Sequence, residues 1–146
     1  MNEIKVITSA EAHKVRHPVL REGKPFETAI FPEDDLKDTF HVGCVLENEP
    51  IGTVTFMQKG KEEFKAVNPY QLRGMAVLQN HQKKGLGDLM VKKGEELVKK
   101  HNGDLIWLNA REIAVGFYKK IGYQVHGGAF MVAGIGPHYL MYKTLI

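Results

Sequence analysis

Residues 70–100 set the tightest limit on what this chain can fold into. An apolar segment closing in Met75-Ala76-Val77 runs, past a turn at Gln79-Asn80-His81, into Gln82-Lys83-Lys84-Gly85-Leu86-Gly87. A helix over 85–100 follows, with Leu86, Leu89, Met90, Leu97 and Val98 on one face. Gly94 falls on or beside that face, and Asn102-Gly103 is its stop signal. A strand that hands over to a helix through glycines leaves free backbone N–H groups at the helix start, where the dipole favours an anion. Glycine lets that backbone come close to a phosphate where a Cβ would clash. Lys83 and Lys84 add positive charge at the same point. Across residues 81–100 six lysines stand against three acids, so this segment alone matches the +3 of the whole chain.

Other glycine loops fit less well. A dinucleotide fingerprint would need glycine where Met90 stands, close to the first strand. A P-loop needs a Gly-Lys-Ser/Thr triplet, which the chain lacks. An ordinary glycine-rich turn with solvated lysines stays open on these residues alone.

The rest of the chain supplies a sheet around this unit. Ile4–Ile7 reads as a strand, and Thr8 with Glu11 has capping-box spacing for a helix carrying Ala12, Val15 and Val19, which Pro18 should kink or end. Residues 23–38 read as an irregular loop. Segments 41–46 and 51–57 form a hairpin about a turn at 47–50. Residues 59–69 are polar loop, and the strand over 70–77 carries Gly74, the mark of a bulge or a close backbone approach by a ligand. Leu105-Ile106-Trp107-Leu108 suits a central strand covered on both faces. A short helix over 112–120 should bury Ala114, Phe117 and Ile121 and end at Gly122. Strands at 123–126 and 139–143 close the sequence around a glycine-rich loop. The order strand, helix, hairpin, strand, helix, strand, helix, strand, strand is a mixed sheet with helices, α/β or α+β, as a single domain over 1–146.

Composition narrows function. The 146 residues suffice for one core, and 43% hydrophobic with 25% charged residues is the balance of a globular protein. The small net charge, three acids in the lysine helix and no interleaved aromatics argue against nucleic acid as a partner. Cys44 alone makes no internal disulfide, and none of the seven histidines forms a tight ligand pair, so no metal is expected. No stretch has the ~18 apolar residues of a membrane span. The start lacks the layout of a secretory signal, so the expectation is a cytoplasmic protein.

With these residues assembled, the chain resembles the GNAT superfamily of N-acetyltransferases. Gln82, Gly85 and Gly87 match its phosphate-loop pattern, after the apolar triplet Met75-Ala76-Val77. Asn109, Ala114, Phe117-Tyr118, Gly122 and Tyr123 follow in that family's order. Residues 16–21 and 134–139 also look like those of a small, little-characterised bacterial subgroup. The resemblance implies a splayed mixed sheet that admits acetyl-CoA between central parallel strands. It assigns the cosubstrate to Met75, Ala76 and Val77, to Gln82, Lys83, Lys84, Gly85, Leu86, Gly87 and Asp88, and to Asn109 and Phe117. It places Tyr118 near the thioester sulfur.

Acetyl transfer to an amine needs a neutral amine, a donor for the developing oxyanion and a proton for the leaving thiolate. The Met75 N–H suits the second role and Tyr118 the third. His138 is the first candidate base, since histidine titrates near neutrality; His126, His41 and His17 follow. Glu33, Asp34 and Asp35 suggest a cationic acceptor drawn to an acidic mouth, or a helix cap near Leu36. The expected activity is acetyl-CoA-dependent N-acetylation of a small-molecule or peptide amine. The alternative is a CoA-binding regulatory module without catalysis. A homodimer is compatible with either.

Overall fold

The computed structural model describes residues 2–145. Seven strands form one sheet: β1 (Asn2–Ile7), β2 (Phe40–Leu46), β3 (Glu49–Gln58), β4 (Pro69–Val77), β5 (Leu105–Arg111), β6 (Gln124–Val132) and β7 (Gly136–Thr144). Their order across the sheet is β1-β2-β3-β4-β5-β7-β6. Only β4 and β5 run parallel; the remaining pairs are antiparallel. Helices α1 (Ser9–Leu20), α2 (Leu86–Lys100) and α3 (Val115–Lys120) complete the α+β architecture.

The first helix starts where its sequence dictates. The Thr8 side chain accepts from the Glu11 N–H at 3.1 Å, and Glu11 accepts from the Thr8 N–H at 2.9 Å. Pro18 lies in its last turn, two residues before the end.

Alternation along β3 assigns the helices to opposite faces. A Cβ on Gly52 would meet Met90 of α2, whereas Thr55 is bonded to Arg16 of α1. Gly94 explains itself here. A Cβ on it would fall 2.0 Å from the Phe56 ring, so the glycine admits that ring and fixes α2 against the sheet. The main core gathers Val54, Phe56, Met90, Val91, Ile106 and Met141. Leu89, expected on the buried face of α2, is instead 49% exposed; the helix turns Leu86, Met90, Val91 and Val98 inward.

Two turns differ from expectation. The β2–β3 connection is a two-residue turn, Glu47-Asn48, both at positive φ (51° and 67°), which matches the twist of a tight hairpin. Pro50 therefore lies in β3, beside the bulge at Cys44/Val45. The glycine-rich stretch near the C-terminus is mostly strand. A shift between His126 and Phe130 absorbs Gly127 and Gly128, and pairing resumes from Phe130↔His138 to Val132↔Gly136.

The parallel pair is short. β4 and β5 pair only at Pro69↔Leu105, Tyr70↔Ile106 and Gln71↔Trp107, and then part. Beyond that point the sheet is split, and the split holds the site.

Candidate active site

The cleft that opens where β4 and β5 separate has a volume of about 850 Å³. Its β4 wall carries Gly74 at φ +63°, opposite a register shift between Thr53 and Thr55 of β3. The bulge read from Gly74 is therefore present. The group that closely approaches this glycine is the chain's own Arg16, whose Nε would lie 2.7 Å from a Cβ there. Displacing the strand at this point directs Met75 toward the cleft, which it lines.

Four of the residues singled out in the sequence meet in this cleft: Met75, Asn109, Tyr118 and His138. Tyr118, not Phe117, is the buried residue of α3, at 4% exposure, with its ring edge-on to Phe117 and Tyr123. Burial pushes its phenol well above the ordinary range, so the hydroxyl keeps its proton at any physiological pH. The His138 Nδ1–H donates to the Gly136 carbonyl at 3.0 Å, which leaves Nε2 as the acceptor of the neutral ring. Asn109 is exposed within the opening.

The glycine loop lies outside the cleft lining but adjoins it. Gln82 donates to the Val77 carbonyl at 2.8 Å, tying the loop to the end of β4. Lys83 and Gly85 both take positive φ (63° and 77°), and Gly85 starts α2 with no side-chain cap. The first N–H groups of α2 are therefore left without intrahelical or side-chain partners. A Cβ on Gly87 would come 3.2 Å from the Phe117 ring and 3.6 Å from the Met75 Cε, so loop, α3 and β4 converge there. An uncapped helix start beside Lys83 and Lys84 fits a pyrophosphate, and the parted strands fit a thin arm leading from it.

The acidic run takes no common part in the cleft. Asp34 is 3% exposed and accepts from Arg16 Nη1 at 2.7 Å, from His13 Nε2 at 2.8 Å and from the Phe31 N–H at 2.8 Å. Burial alone would raise its pKa, but these hydrogen bonds outweigh it and hold the carboxyl below its ordinary value. Arg16 is fully buried and also donates to the Ala29 carbonyl and to Thr55. His41 donates Nε2–H to the Asp34 carbonyl and accepts from Thr55 at Nδ1; burial lowers its pKa and keeps it neutral. His17 donates to the Lys24 carbonyl, and His126 is exposed against Phe64. Neither lines the cleft.

The side chains missed in the sequence are arginines. Arg21, Arg73 and Arg111 line the cleft with Lys59 and Lys61, against Glu62 as the one acid of its wall. Strand alternation carries the signal: Arg73 shares a face with Gln71, and Arg111 with Trp107 and Asn109. That signal becomes legible only once register is known. Among the described residues no group of three or more His, Cys, Asp or Glu side chains gathers as metal ligands, and no helix is long and apolar enough to cross a membrane.

Known proteins resemble this chain in sequence and in fold. The profile of the acetyltransferase (GNAT) family matches residues 9–123. The uncharacterized N-acetyltransferase YitI of Bacillus subtilis is 31% identical over 145 residues, covering 99% of this chain and 97% of its own. Among solved structures, Escherichia coli ElaA superposes with a TM-score of 0.80 at 18% identity, over 98% of this chain and 99% of its own. An aminoglycoside 6'-N-acetyltransferase complexed with coenzyme A gives 0.77 at 17% identity, over 99% and 97%. At that identity the two structures share the fold.

Proposed function

The chain belongs to the GNAT family of acetyltransferases, and from that premise we propose that it moves an acetyl group from acetyl-CoA to a primary amine by direct attack on the thioester, its residues working as one domain. The observation that carries this reading is the pairing of a split between β4 and β5 with an uncapped, glycine-started helix at its edge. Backbone N–H groups from Lys83 to Asp88 hold the pyrophosphate, with Gln82 bracing the loop and Leu86 anchoring it in the core. Met75, Ala76 and Val77 offer backbone groups to the arm along one wall, with Asn109 on the other and Phe117 packing at Gly87.

When bound, the thioester supplies an activated acyl carbon. The Met75 N–H donates to the oxygen that gains charge as the amine attacks. His138 Nε2 takes the proton that the amine loses. The Tyr118 hydroxyl donates toward the sulfur as the carbon–sulfur bond breaks. Because burial makes a phenolate costly, its help is hydrogen-bond donation more than complete ionisation.

The test is calorimetric titration with CoA, followed by acetyl-CoA consumption across amino acids, peptides, polyamines and aminoglycosides. CoA binding with acetyl transfer to one class supports the reading. CoA binding without transfer to any amine favours a regulatory module, and no CoA binding removes both.

A further inference from the structure

The charge of the cleft bears on what enters it. Of its five basic side chains, three have acidic partners nearby. Arg73 and Lys59 share Glu33, at 3.6 Å and 3.4 Å, and Lys61 lies 3.8 Å from Glu63. Arg21 and Arg111 pair with no described carboxylate. Arg21 spends Nε on the Thr28 carbonyl and Nη1 on the Leu20 carbonyl, which leaves several of its five donors unused.

These two residues approach the cleft from different elements. Arg21 caps the end of α1 and Arg111 ends β5, yet both side chains line the same cleft. Two half-buried guanidinium groups brought together without a counter-charge is an arrangement a fold does not need for its own stability. They stand on the α1 face of the sheet, as Arg73 does beside Phe31, whose ring lies 4.1 Å from its guanidinium carbon. The phosphate-loop helix α2 packs on the other face, so these arginines are not placed to serve the pyrophosphate. The far wall is apolar: Phe130 and Ile135 of the β6–β7 hairpin line it and remain 38% and 44% exposed.

We propose that the acceptor is an amine carrying its own anionic group, a carboxylate or a phosphate, which Arg21 and Arg111 hold while the β6–β7 hairpin covers its apolar part. The inference rests on the acetyl-transfer reading above and names its substrate class. It replaces the cationic acceptor expected from the acidic run, because Asp34 is spent on Arg16 and His13, and Glu33 on Arg73 and Lys59. A guanidinium presents paired donors that match carboxylate and phosphate oxygens, whereas a polycationic amine would meet like charge on entry.

The experiment uses products, so that it does not depend on turnover. CoA-saturated protein is titrated with N-acetyl-leucine, N-acetyl-phenylalanine and N-acetyl-glutamate, each against its neutral carboxamide. A phosphate arm compares N-acetyl-O-phosphoethanolamine with N-acetylethanolamine. In at least one pair the anionic member binds tenfold or more tightly, and the difference shrinks as salt rises. The arm that shows it distinguishes carboxylate from phosphate. The Arg21→Gln, Arg111→Gln double variant loses the preference while holding CoA within twofold of wild type. Equal affinities in every pair overturn the proposal. So does a preference that survives in the double variant, or acetylation of spermidine or kanamycin in preference to every anionic amine. Titration with CoA alone reports on the acetyl-transfer reading separately. If the double variant fails to fold, the acid-against-amide comparison and its salt dependence in the wild-type protein still decide.

Discussion

Arg16 and Gly74 touch where α1 crosses β4: a Cβ on Gly74 would lie 2.7 Å from the Arg16 Nε. The contact joins two unusual choices, a buried cation and a left-handed backbone. Gly74→Ala must pay for φ +63° and also displace a guanidinium fixed by Asp34, Ala29 and Thr55. The left-handed conformation alone costs about 1–2 kcal/mol. Chemical denaturation should show at least that loss. Wild-type stability in Gly74→Ala would mean that the bulge and Arg16 are not coupled.

Asp34 and His41 set an acid limit on stability. Both folded pKa values lie below their unfolded ones. The unfolded chain therefore binds more protons, and stability falls as pH drops. The His41 contribution is fully present above its unfolded value near ~6.5 and is lost as pH falls through its lower folded value. The Asp34 contribution is intact above ~4 and is lost below that. Denaturation midpoints at pH 7.5, 5.5 and 3 should descend in two stages. Asp34→Asn should remove the second stage and cost about 3–5 kcal/mol at neutral pH, because Arg16 is left buried without its counter-ion. A midpoint that does not move between pH 7.5 and 3 would contradict this.

Gly87→Glu sets a side chain against the Phe117 ring and a negative charge at the start of α2. CoA affinity should fall more than tenfold, about 1.4 kcal/mol, by calorimetry on a variant shown to be folded. Unchanged affinity would dissociate the glycine loop from phosphate binding.

Tyr118→Phe removes one hydroxyl from a buried ring. Turnover on the best amine should drop about 100- to 1,000-fold, the loss of one donor to developing charge, with CoA affinity nearly unchanged. Since burial raises the phenol's pKa, the wild-type pH–rate profile should show no Tyr118 limb below strongly alkaline pH. An unaffected rate would return Tyr118 to the role of a core aromatic.

Where local chemistry decides, the sequence was readable. The Thr8–Glu11 box, the start of α2 at Gly85 and the bulge at Gly74 each depend on neighbours within a few residues. What escaped depends on long-range pairing. Asp34 read as a surface acid because its partner Arg16 is 18 residues away in sequence. The basic character of the cleft needed the β4–β5 register, which alone sets Arg73 and Arg111 on one face. Glycines misled near the C-terminus, since Gly127 and Gly128 interrupt the β6–β7 ladder without ending it.

The parting of β4 and β5 gives the sheet four margins instead of two. β1 and β6 are outer margins, open to any extended chain that drifts against them. The inner margins, residues 72–76 and 108–111, face each other across the gap. Their unpaired peptide groups form two facing combs of donors and acceptors, spaced at strand pitch. A compact ligand can touch only a few of those teeth. A long, slender one with polar atoms at intervals can engage many. Selection by shape is thus built into the order of strands, before any side chain is chosen.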